Sequence, residues 1–392
     1  MKKILFIHHS ASWGGAPINL LRNIKALDRQ KFEPIVLLLK NSIIAEKLAE
    51  NGIPFTVAKS KFYRKYYQFL THSEAGYIKW YQIGRFVKLC LFWLFSHYIF
   101  AIKELRNIEC DIIQVNSSVL IDWLKPGKQI NKKVILHIQE PFRKGKFDII
   151  YFCARKQIKN NCDHIITISK DNARRINIPE KTTIVYNYAD IPAIKSIQPS
   201  YSSKTFLYLG GASYIKGFYT LVNALDKINN DIVILFAGNY NLNISYKSWV
   251  LRVLYKVFSN YYLRKKAITK IENNKNARII GLIDDVSSYF EQSVAIVSPF
   301  IKPHFSRPVI EAYLHSKPAI GSNVEGMAEI IIDGKTGILT QKGSSTELAS
   351  AINYLANNPN EAVRLGNNGF NFAIKNFSPQ NSTLYEKIYK SI

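Results

Sequence analysis

The feature that most constrains this chain is an alternation kept up along its length, in which short β-branched and aliphatic runs are separated by longer stretches with helical spacing. A parallel neighbour can be reached only through a crossover, so strands that alternate with helices pair in parallel and carry helices on both faces. Strands are predicted at Lys3–His8, Pro34–Leu39, Phe55–Val57, Ile112–Val115, Val134–His137, His164–Ile168 and Thr183–Tyr186. A second series is predicted at Thr205–Leu209, Ile232–Ala237, Ala277–Gly281, Ala295–Pro299, Pro318–Ser322 and Gly337–Leu339. Helices fit between them, at Ala16–Leu27, Lys216–Asn229, Pro308–Ser316 and Ser345–Ala356. Asp190–Ser203 holds two prolines and four serines without periodicity, and reads as a linker. The expected fold class is therefore α/β, with two Rossmann-like, doubly wound parallel sheets. The expected organisation is a domain over 1–190, a linker over 191–203, a second domain over 204–376 and a terminal helix over 377–392. That helix has Leu384, Ile388 and Ile392 at i, i+4 spacing.

Length and composition agree with this reading. A chain of 392 residues with 47% apolar content has material for two cores. Its 53 Lys and Arg against 28 Asp and Glu give a formal charge of +25, which points to polyanionic partners such as nucleic acid, an anionic membrane or phosphate-bearing ligands. Cys90, Cys110, Cys153 and Cys162 form no CxxC pair, which argues against a disulfide scaffold or a zinc site and suits the reducing cytoplasm. Lys2-Lys3 is followed by an apolar run of about five residues, short of the ~7–15 of a signal peptide, so a buried first strand is expected. The stretch from Leu89 to Phe95, continuing past Ser96-His97 to Ile102, falls below the ~18 residues of a spanning helix, and no membrane crossing is expected.

In open parallel sheets, ligands bind beyond the carboxyl ends of strands. Three motifs stand there. His8-His9-Ser-Ala-Ser-Trp-Gly14-Gly15-Ala-Pro17 follows the first strand, where glycines admit a ligand to the backbone and Pro17 can open a phosphate-attracting helix. It is not GxGxxG, and an ordinary loop explains it as well. Gly210-Gly211-Ala-Ser-Tyr-Ile-Lys216-Gly217 follows the eighth strand; its lysine can neutralise a diphosphate, or simply be solvated. The richest runs Ser298-Pro-Phe-Ile-Lys-Pro303-His304-Phe305-Ser306-Arg307-Pro308-Val309-Ile-Glu311. There Pro308 suits a first helical turn, Arg307 is a bidentate phosphate donor, and Glu311 can accept from vicinal hydroxyls such as those of ribose.

The stretch RPVIEAYLHSKPAIGSNVEGMAEIIIDGKTGIL, from Arg307 to Leu339, resembles the donor-binding region of retaining GT-B glycosyltransferases of family four. GGAP near the start, HIQEP at His137–Pro141, ITISK at Ile166–Lys170, VYNYAD at Val185–Asp190 and the YIKG lysine, Lys216, match in order. The resemblance implies two domains facing across a cleft, a nucleotide-sugar donor (UDP- or GDP-linked) as substrate, no cofactor, no required metal and a terminal helix that crosses back onto the first domain. It implies diphosphate contact at Lys216, ribose contact at Glu311, phosphate contact along the Phe305–Val309 backbone, and a base loop at Gly281, Leu282 and Ile283. Gly15 and Gly210 would lie at the donor. His137 would line the catalytic cleft, although a strand-end histidine is as readily a core residue, and Glu329 is equally open. The catalytic set implied is His137, Lys216 and Glu311.

Two positions depart from the family. A glutamate usual eight residues before Glu311 is replaced by Pro303, and an arginine usual before the lysine motif is Gly211. His304 and Arg307 are the candidate substitutes for holding sugar and phosphate; otherwise activity is weakened or lost.

The remaining charge clusters. Residues 61–106 hold eight Lys and Arg against two Glu, with fourteen aromatics between Phe62 and Phe100, Trp80 and Trp93 among them. Residues 246–270 hold seven Lys and Arg and no Asp or Glu, with Trp249, Val250, Val253, Leu254, Val257, Phe258 and Tyr261 recurring at helical spacing. Basic amphipathic stretches with interfacial aromatics suit an anionic membrane surface, or pack on their domain with solvated lysines. The expectation is a cytoplasmic glycosyltransferase, peripheral on the inner face of the cell membrane, serving a lipid-linked or surface-polysaccharide precursor. A silent GT-B subunit, a nucleotide-sugar epimerase on the same fold and a nucleic-acid-binding protein are the alternatives. No RRM, KH or helix-turn-helix pattern supports the last, and no nucleic acid partner is expected.

Overall fold

The computed structural model describes residues 1–9, 14–67, 83–143, 148–189, 204–242, 261–283 and 285–392. The expected linker, Ser10–Trp13 of the first motif, Trp80 and residues 246–260 of the second basic segment lie outside the described residues. The chain forms two compact units, one of Met1–Tyr188 with Pro379–Ile392, the other of Ala189–Ser378.

The first unit holds seven parallel strands in the order β3-β2-β1-β4-β5-β6-β7. They are β1 (Lys2–His8), β2 (Phe32–Leu38), β3 (Phe55–Val57), β4 (Ile112–Asn116), β5 (Lys133–Ile138), β6 (His164–Thr167) and β7 (Thr182–Ile184). Ile4, Leu5, Phe6 and Ile7 on the central strand are all fully buried, because helices cover both faces of a parallel sheet. Pro34 sits opposite Ile4, before β3 begins to pair at Val36, so its missing N–H costs no ladder bond.

The second unit holds six parallel strands in the order β10-β9-β8-β11-β12-β13. They are β8 (Thr205–Tyr208), β9 (Val233–Ala237), β10 (Ala277–Gly281), β11 (Ala295–Ser298), β12 (Ala319–Ser322) and β13 (Gly337–Thr340). The two doubly wound sheets are those the alternation predicts, and strand ends move by no more than two residues. One helix differs. That predicted at Lys216–Asn229 starts only at Phe218, because Gly217 has φ +78°, outside the right-handed helical region; Lys216 therefore belongs to the loop.

The apolar segment expected to be too short to span is part of a longer helical run. Phe86–Leu105 is 20 residues with a mean hydropathy of 1.4, enough by length and composition to cross a membrane. Ser96 and His97 do not break it, because a π-helical turn at Ser96–Phe100 turns them into the unit, where both are fully buried. Tyr67 Oη donates to Asp122 Oδ2 at 2.7 Å, Ser96 Oγ donates to the same oxygen, and His97 Nδ1 meets the Asp122 carbonyl at 3.1 Å. Burial pushes the Asp122 carboxyl up to about 7. The inward face of this helix is thus fastened to the first unit.

The terminal helix, Ser382–Ser391, packs into the first unit's core beside Ile4, Phe6 and Ile135. Tyr385, Ile388 and Tyr389 are buried, and Leu384 and Ile392 pack alongside them. A buried polar chain fixes the helix. Tyr389 Oη donates to Gln114 Oε1 at 2.6 Å and Gln114 Nε2 to Asn116 Oδ1 at 2.9 Å. Asn116 Oδ1 meets His137 Nδ1 at 3.3 Å, and His137 Nε2 meets Tyr385 Oη at 3.2 Å. The arrangement suits a neutral imidazole, its Nδ1–H donating to Asn116 and its Nε2 accepting from Tyr385.

Burial pushes the His137 imidazole down to about 3, against 6.5 for a free histidine. Below pH 6.5 the unfolded chain binds a proton that the native state refuses, so this site loses stability as pH falls, by about 1.4 kcal/mol per pH unit. Between pH 7 and pH 5 the stability of the wild type should therefore fall relative to His137→Gln by about 2 kcal/mol. Urea unfolding of both proteins at the two pH values checks it.

Candidate functional site

In the second sheet β8 and β11 are neighbours, and the strand order reverses between them. Their following loops run to opposite faces and leave a crevice, the usual ligand position in such sheets. The loop after β8, Leu209–Gly217, and the loop after β11, Pro299–Ser306, are joined by a hydrogen bond from Ile301 N to Ile215 O of 3.0 Å. Gly217 lies so close to Pro299 that a Cβ there would sit 1.8 Å from its carbonyl oxygen. Gly210 is pressed equally hard, since a Cβ would fall 2.0 Å from the Tyr208 ring, whose hydroxyl donates to Gly211 O at 3.1 Å. Gly211 has φ +56°, and the position of its Cβ is 3.0 Å from Asn239 N. A small hollow of about 50 Å³ opens between the loops, lined by Gly210, Lys216, Ser298, His304, Ser306 and Pro308 among others.

The helix Arg307–Leu314 starts at this hollow, with Ser306 as N-cap and Pro308 in its first turn. First-turn amides have no intrahelical acceptor and attract anions. Ser306 is buried, and its Oγ makes no hydrogen bond among the described residues. Arg307 Nε and Glu311 Oε1 form an i, i+4 ion pair at 3.0 Å, with 21% and 16% of the side chains exposed. The cation and carboxylate expected to hold phosphate and ribose are therefore already in contact. Val309 is fully buried, so only its backbone can meet a ligand, and Phe305 packs edge-on against Phe377.

His304 stacks on Phe300 with ring centroids 4.0 Å apart and planes 9° apart. Its backbone N donates to Glu325 O at 3.0 Å, which ties the loop after β12 to the same place. Gly326 in that loop has φ +84°, and a Cβ there would come within 2.6 Å of His304 O. Burial first, and then the charge of Lys216, push the His304 imidazole down to about 3, so it works neutral. Glu329 is half-buried in the first turn of the helix Met327–Ile330. Gly281 ends β10 with φ +75° and accepts from Gly238 N at 2.7 Å; beyond it Leu282 is 80% exposed and Ile283 half-buried. The second unit thus gathers Lys216, His304 and Ser306 around one crevice, with the Arg307–Glu311 pair on the helix that starts there and Gly281–Ile283 at the carboxyl end of the sheet's edge strand.

Gly15 and His137 belong to the first unit. Gly15 opens the helix Gly15–Lys25 with open space where its Cβ would be. His137 does not stand at an open surface: it is fully buried, and both ring nitrogens are taken by Asn116 and Tyr385. Sequence reasoning missed a group at the switch point of the first sheet, between β1 and β4. Ser117, just past β4, has φ 148° and ψ 145°, a region that a side chain seldom enters. Glu140 Oε1 holds it, accepting from Ser117 Oγ at 2.5 Å, Ser118 N at 2.7 Å and Ser118 Oγ at 2.6 Å. The available signal was the carboxylate of HIQEP followed back to the Asn116-Ser-Ser turn.

Residues 190–372 match the family model of glycosyl transferases group 1. An uncharacterized glycosyltransferase of Methanocaldococcus jannaschii is 26% identical over 243 residues, covering 60% of this chain and 62% of that protein, less than two thirds of its length. CapM, a capsular polysaccharide biosynthesis glycosyltransferase of Staphylococcus aureus, is 28% identical over 110 residues, 28% of this chain and 29% of its own. The crystal structure of Anabaena HepE in complex with UDP and glucose aligns over the whole of both chains with a TM-score of 0.76 at 18% identity. The fold is GT-B, and residues 190–372 are similar to the glycosyl transferases group 1 family.

The Gly217 contact yields a test. Gly217→Ala adds a clash with Pro299 to the strain of a left-handed side chain, whereas Gly334→Ala, at φ +66° with open space around it, adds the strain alone. Strained backbone positions cost about 1–3 kcal/mol. Gly217→Ala should destabilise the protein by at least that much, and by more than Gly334→Ala, in urea unfolding of the two variants.

Proposed function

We propose that this protein transfers a hexosyl group, with retention, from a UDP- or GDP-linked sugar to a lipid-linked or surface-polysaccharide precursor, as a peripheral enzyme on the cytoplasmic face of an anionic membrane. The observation that carries the reading is the meeting of the Lys216 loop and the Ser306–Arg307 helix start at one switch point, with Glu311 one turn further on. A diphosphate leaving group gains charge as the glycosyl bond breaks. Lys216, Arg307 and the first-turn amides are fixed donors suited to receive that charge, which is electrostatic stabilisation of the oxyanion-hole kind. Gly211 cannot share the work, because its φ of +56° and its approach to Asn239 leave no room for a long cation. In this reading the diphosphate meets Lys216 and Arg307.

Glu311 accepts from the ribose hydroxyls, and the exposed Leu282 borders the base. Pro303 offers no carboxylate to the sugar, so the neutral His304 ring, which can donate from one nitrogen and accept at the other, takes that contact. His137, sealed among Asn116 and Tyr385, acts in this reading by positioning. The domain match over 190–372 and the capsular role named for CapM support a glycan-building transferase. HepE has been solved with UDP-glucose, which supports a nucleotide-sugar donor. The basic, aromatic segment 61–106 supports the membrane partner. Pro303 and Gly211 also favour a second reading, a donor-binding subunit without turnover.

Glu311→Gln should lower donor affinity by about 1.5–3 kcal/mol, the range for bonds to a charged group, for both nucleotide and nucleotide sugar. His304→Ala should leave affinity for the free nucleoside diphosphate unchanged while lowering transfer. Calorimetry beside a turnover assay, after a thermal-shift screen of UDP- and GDP-sugars, decides it. Unchanged binding in Glu311→Gln removes the ribose role, and donor binding without turnover in the wild type selects the silent subunit.

A further inference from the structure

The helix Ile83–Phe95 and the π-turn after it carry an outward stripe that the glycosyltransfer reading leaves unused. Val87, Leu91, Leu94, Phe95 and Tyr98 recur at i, i+4, i+7, i+8 and i+11, and each is between 43 and 57% exposed. Their opposite face is bound into the unit through Leu89, Ser96 and His97. Beside this stripe the helix Ile149–Asn161 exposes Ile149 and Phe152. Contiguous apolar surface of this kind marks an interaction site rather than ordinary surface.

Between the two helices lies a cavity of about 600 Å³, within the ~300–1,000 Å³ of small-ligand pockets. Phe86, Trp93, Ile121, Ile150 and Ala154 form its apolar wall. Lys125 and Lys156 also line it, and among the described residues no carboxylate does. Trp93 Nε1 is buried with no hydrogen-bond partner among the described residues. Lys88 Nζ lies 5.3 Å over the Phe92 ring and Lys125 Nζ 4.9 Å over Tyr98, so cations stand directly beside the apolar stripe. An apolar slot with cationic groups and an apolar stripe alongside is complementary to a molecule that has a hydrocarbon body and an anionic head, presented by a surface of the same kind.

We propose that the cavity between the helices Ile83–Phe95 and Ile149–Asn161 takes an acyl chain of an anionic bilayer phospholipid, its phosphate meeting Lys125 and Lys156, while the Val87–Tyr98 stripe lies in the membrane interface. The inference rests on the reading that the protein works at an anionic membrane, and it names the surface and the lipid. The helix lies along the interface instead of spanning, because Ser96, His97 and Leu89 hold its other face in the unit. Electrostatic attraction brings the basic face to the bilayer, and chain insertion then holds it there.

The full-length protein, with Trp13, Trp80 and Trp249 replaced by phenylalanine so that Trp93 and the fully buried Trp123 remain, is mixed with vesicles of phosphatidylglycerol or phosphatidylcholine carrying brominated acyl chains, and both pelleting and tryptophan quenching are read. Expected are pelleting and quenching on phosphatidylglycerol alone, with the quenching lost in Trp93→Phe. Cys153→Phe, which fills the cavity from an exposed position, should keep the pelleting and lose the quenching. Lys125→Glu with Lys156→Glu should weaken partitioning at least tenfold. Melting temperature and the nucleotide-induced thermal shift are followed in every variant and should not change. Quenching that survives Cys153→Phe, or is equal on the two lipids, overturns the cavity assignment while leaving membrane binding in place. Absence of pelleting on phosphatidylglycerol overturns both. A lipid-free dimer dissolved by Leu91→Glu assigns the stripe to a second copy and overturns the proposal. None of these outcomes touches donor binding, which the thermal shift reads separately.

Discussion

The binding face of the second unit depends on the joint between the loops that follow β8 and β11. Parallel topology brings these two strand ends together and then sends the chain away on opposite sides, so nothing in the sheet itself fixes one loop against the other. The Ile301–Ile215 hydrogen bond and the seating of Gly217 on the Pro299 carbonyl do so. With that joint made, Lys216 is delivered by one loop and Ser306 by the other to the same small hollow. The third loop is then added by the bond from His304 N to Glu325 O and the close approach of Gly326. Pre-set positions of this kind matter for an electrostatic site, because donors already in place need no reorganisation when charge develops.

The first unit fixes a strand-end loop with different chemistry. There a single carboxylate oxygen of Glu140, in the loop after β5, takes three donors from Ser117 and Ser118, just past β4, and holds Ser117 in a backbone region usually left to glycine. A strained residue over-determined by its surroundings is a frequent companion of function. One unit thus positions its loop with glycines, the other with a polar clamp.

The strands could be read directly, because a strand buried on both faces needs a continuous aliphatic run and Ile4–Ile7 or Ala295–Val297 offers nothing else. Lys216 was found as a charge but misplaced onto a helix, since the left-handed turn at Gly217 is a property of its fit against Pro299, more than eighty positions away. For His137 a core position was one of the two readings open, but the hydroxyl that seals it was beyond reach for the same reason, since it comes from Tyr385, 248 residues later. Ser96 and His97 looked like an interruption of an apolar run, whereas Tyr63 and Asp122 bond Ser96 Oγ and the Asp122 carbonyl meets His97 Nδ1 inside a continuous helix. Glu140 stood within a recognised motif, yet its work on Ser117 and Ser118 is long-range and leaves no periodic trace.

The Tyr385–His137 and Tyr389–Gln114 contacts bear on the order in which the molecule can be made. Residues 189–378 form a unit of their own within the chain, while the helix that completes the first unit is translated after all of them. During synthesis the second unit can finish its core while the first still lacks Tyr385 and Tyr389 and shows bare apolar surface around Ile4, Phe6 and Ile135. The first half of the chain to emerge is therefore the last to close. For that interval His137 and Gln114 have no tyrosine to meet, and the nascent first domain is the part of this protein with most need of a chaperone.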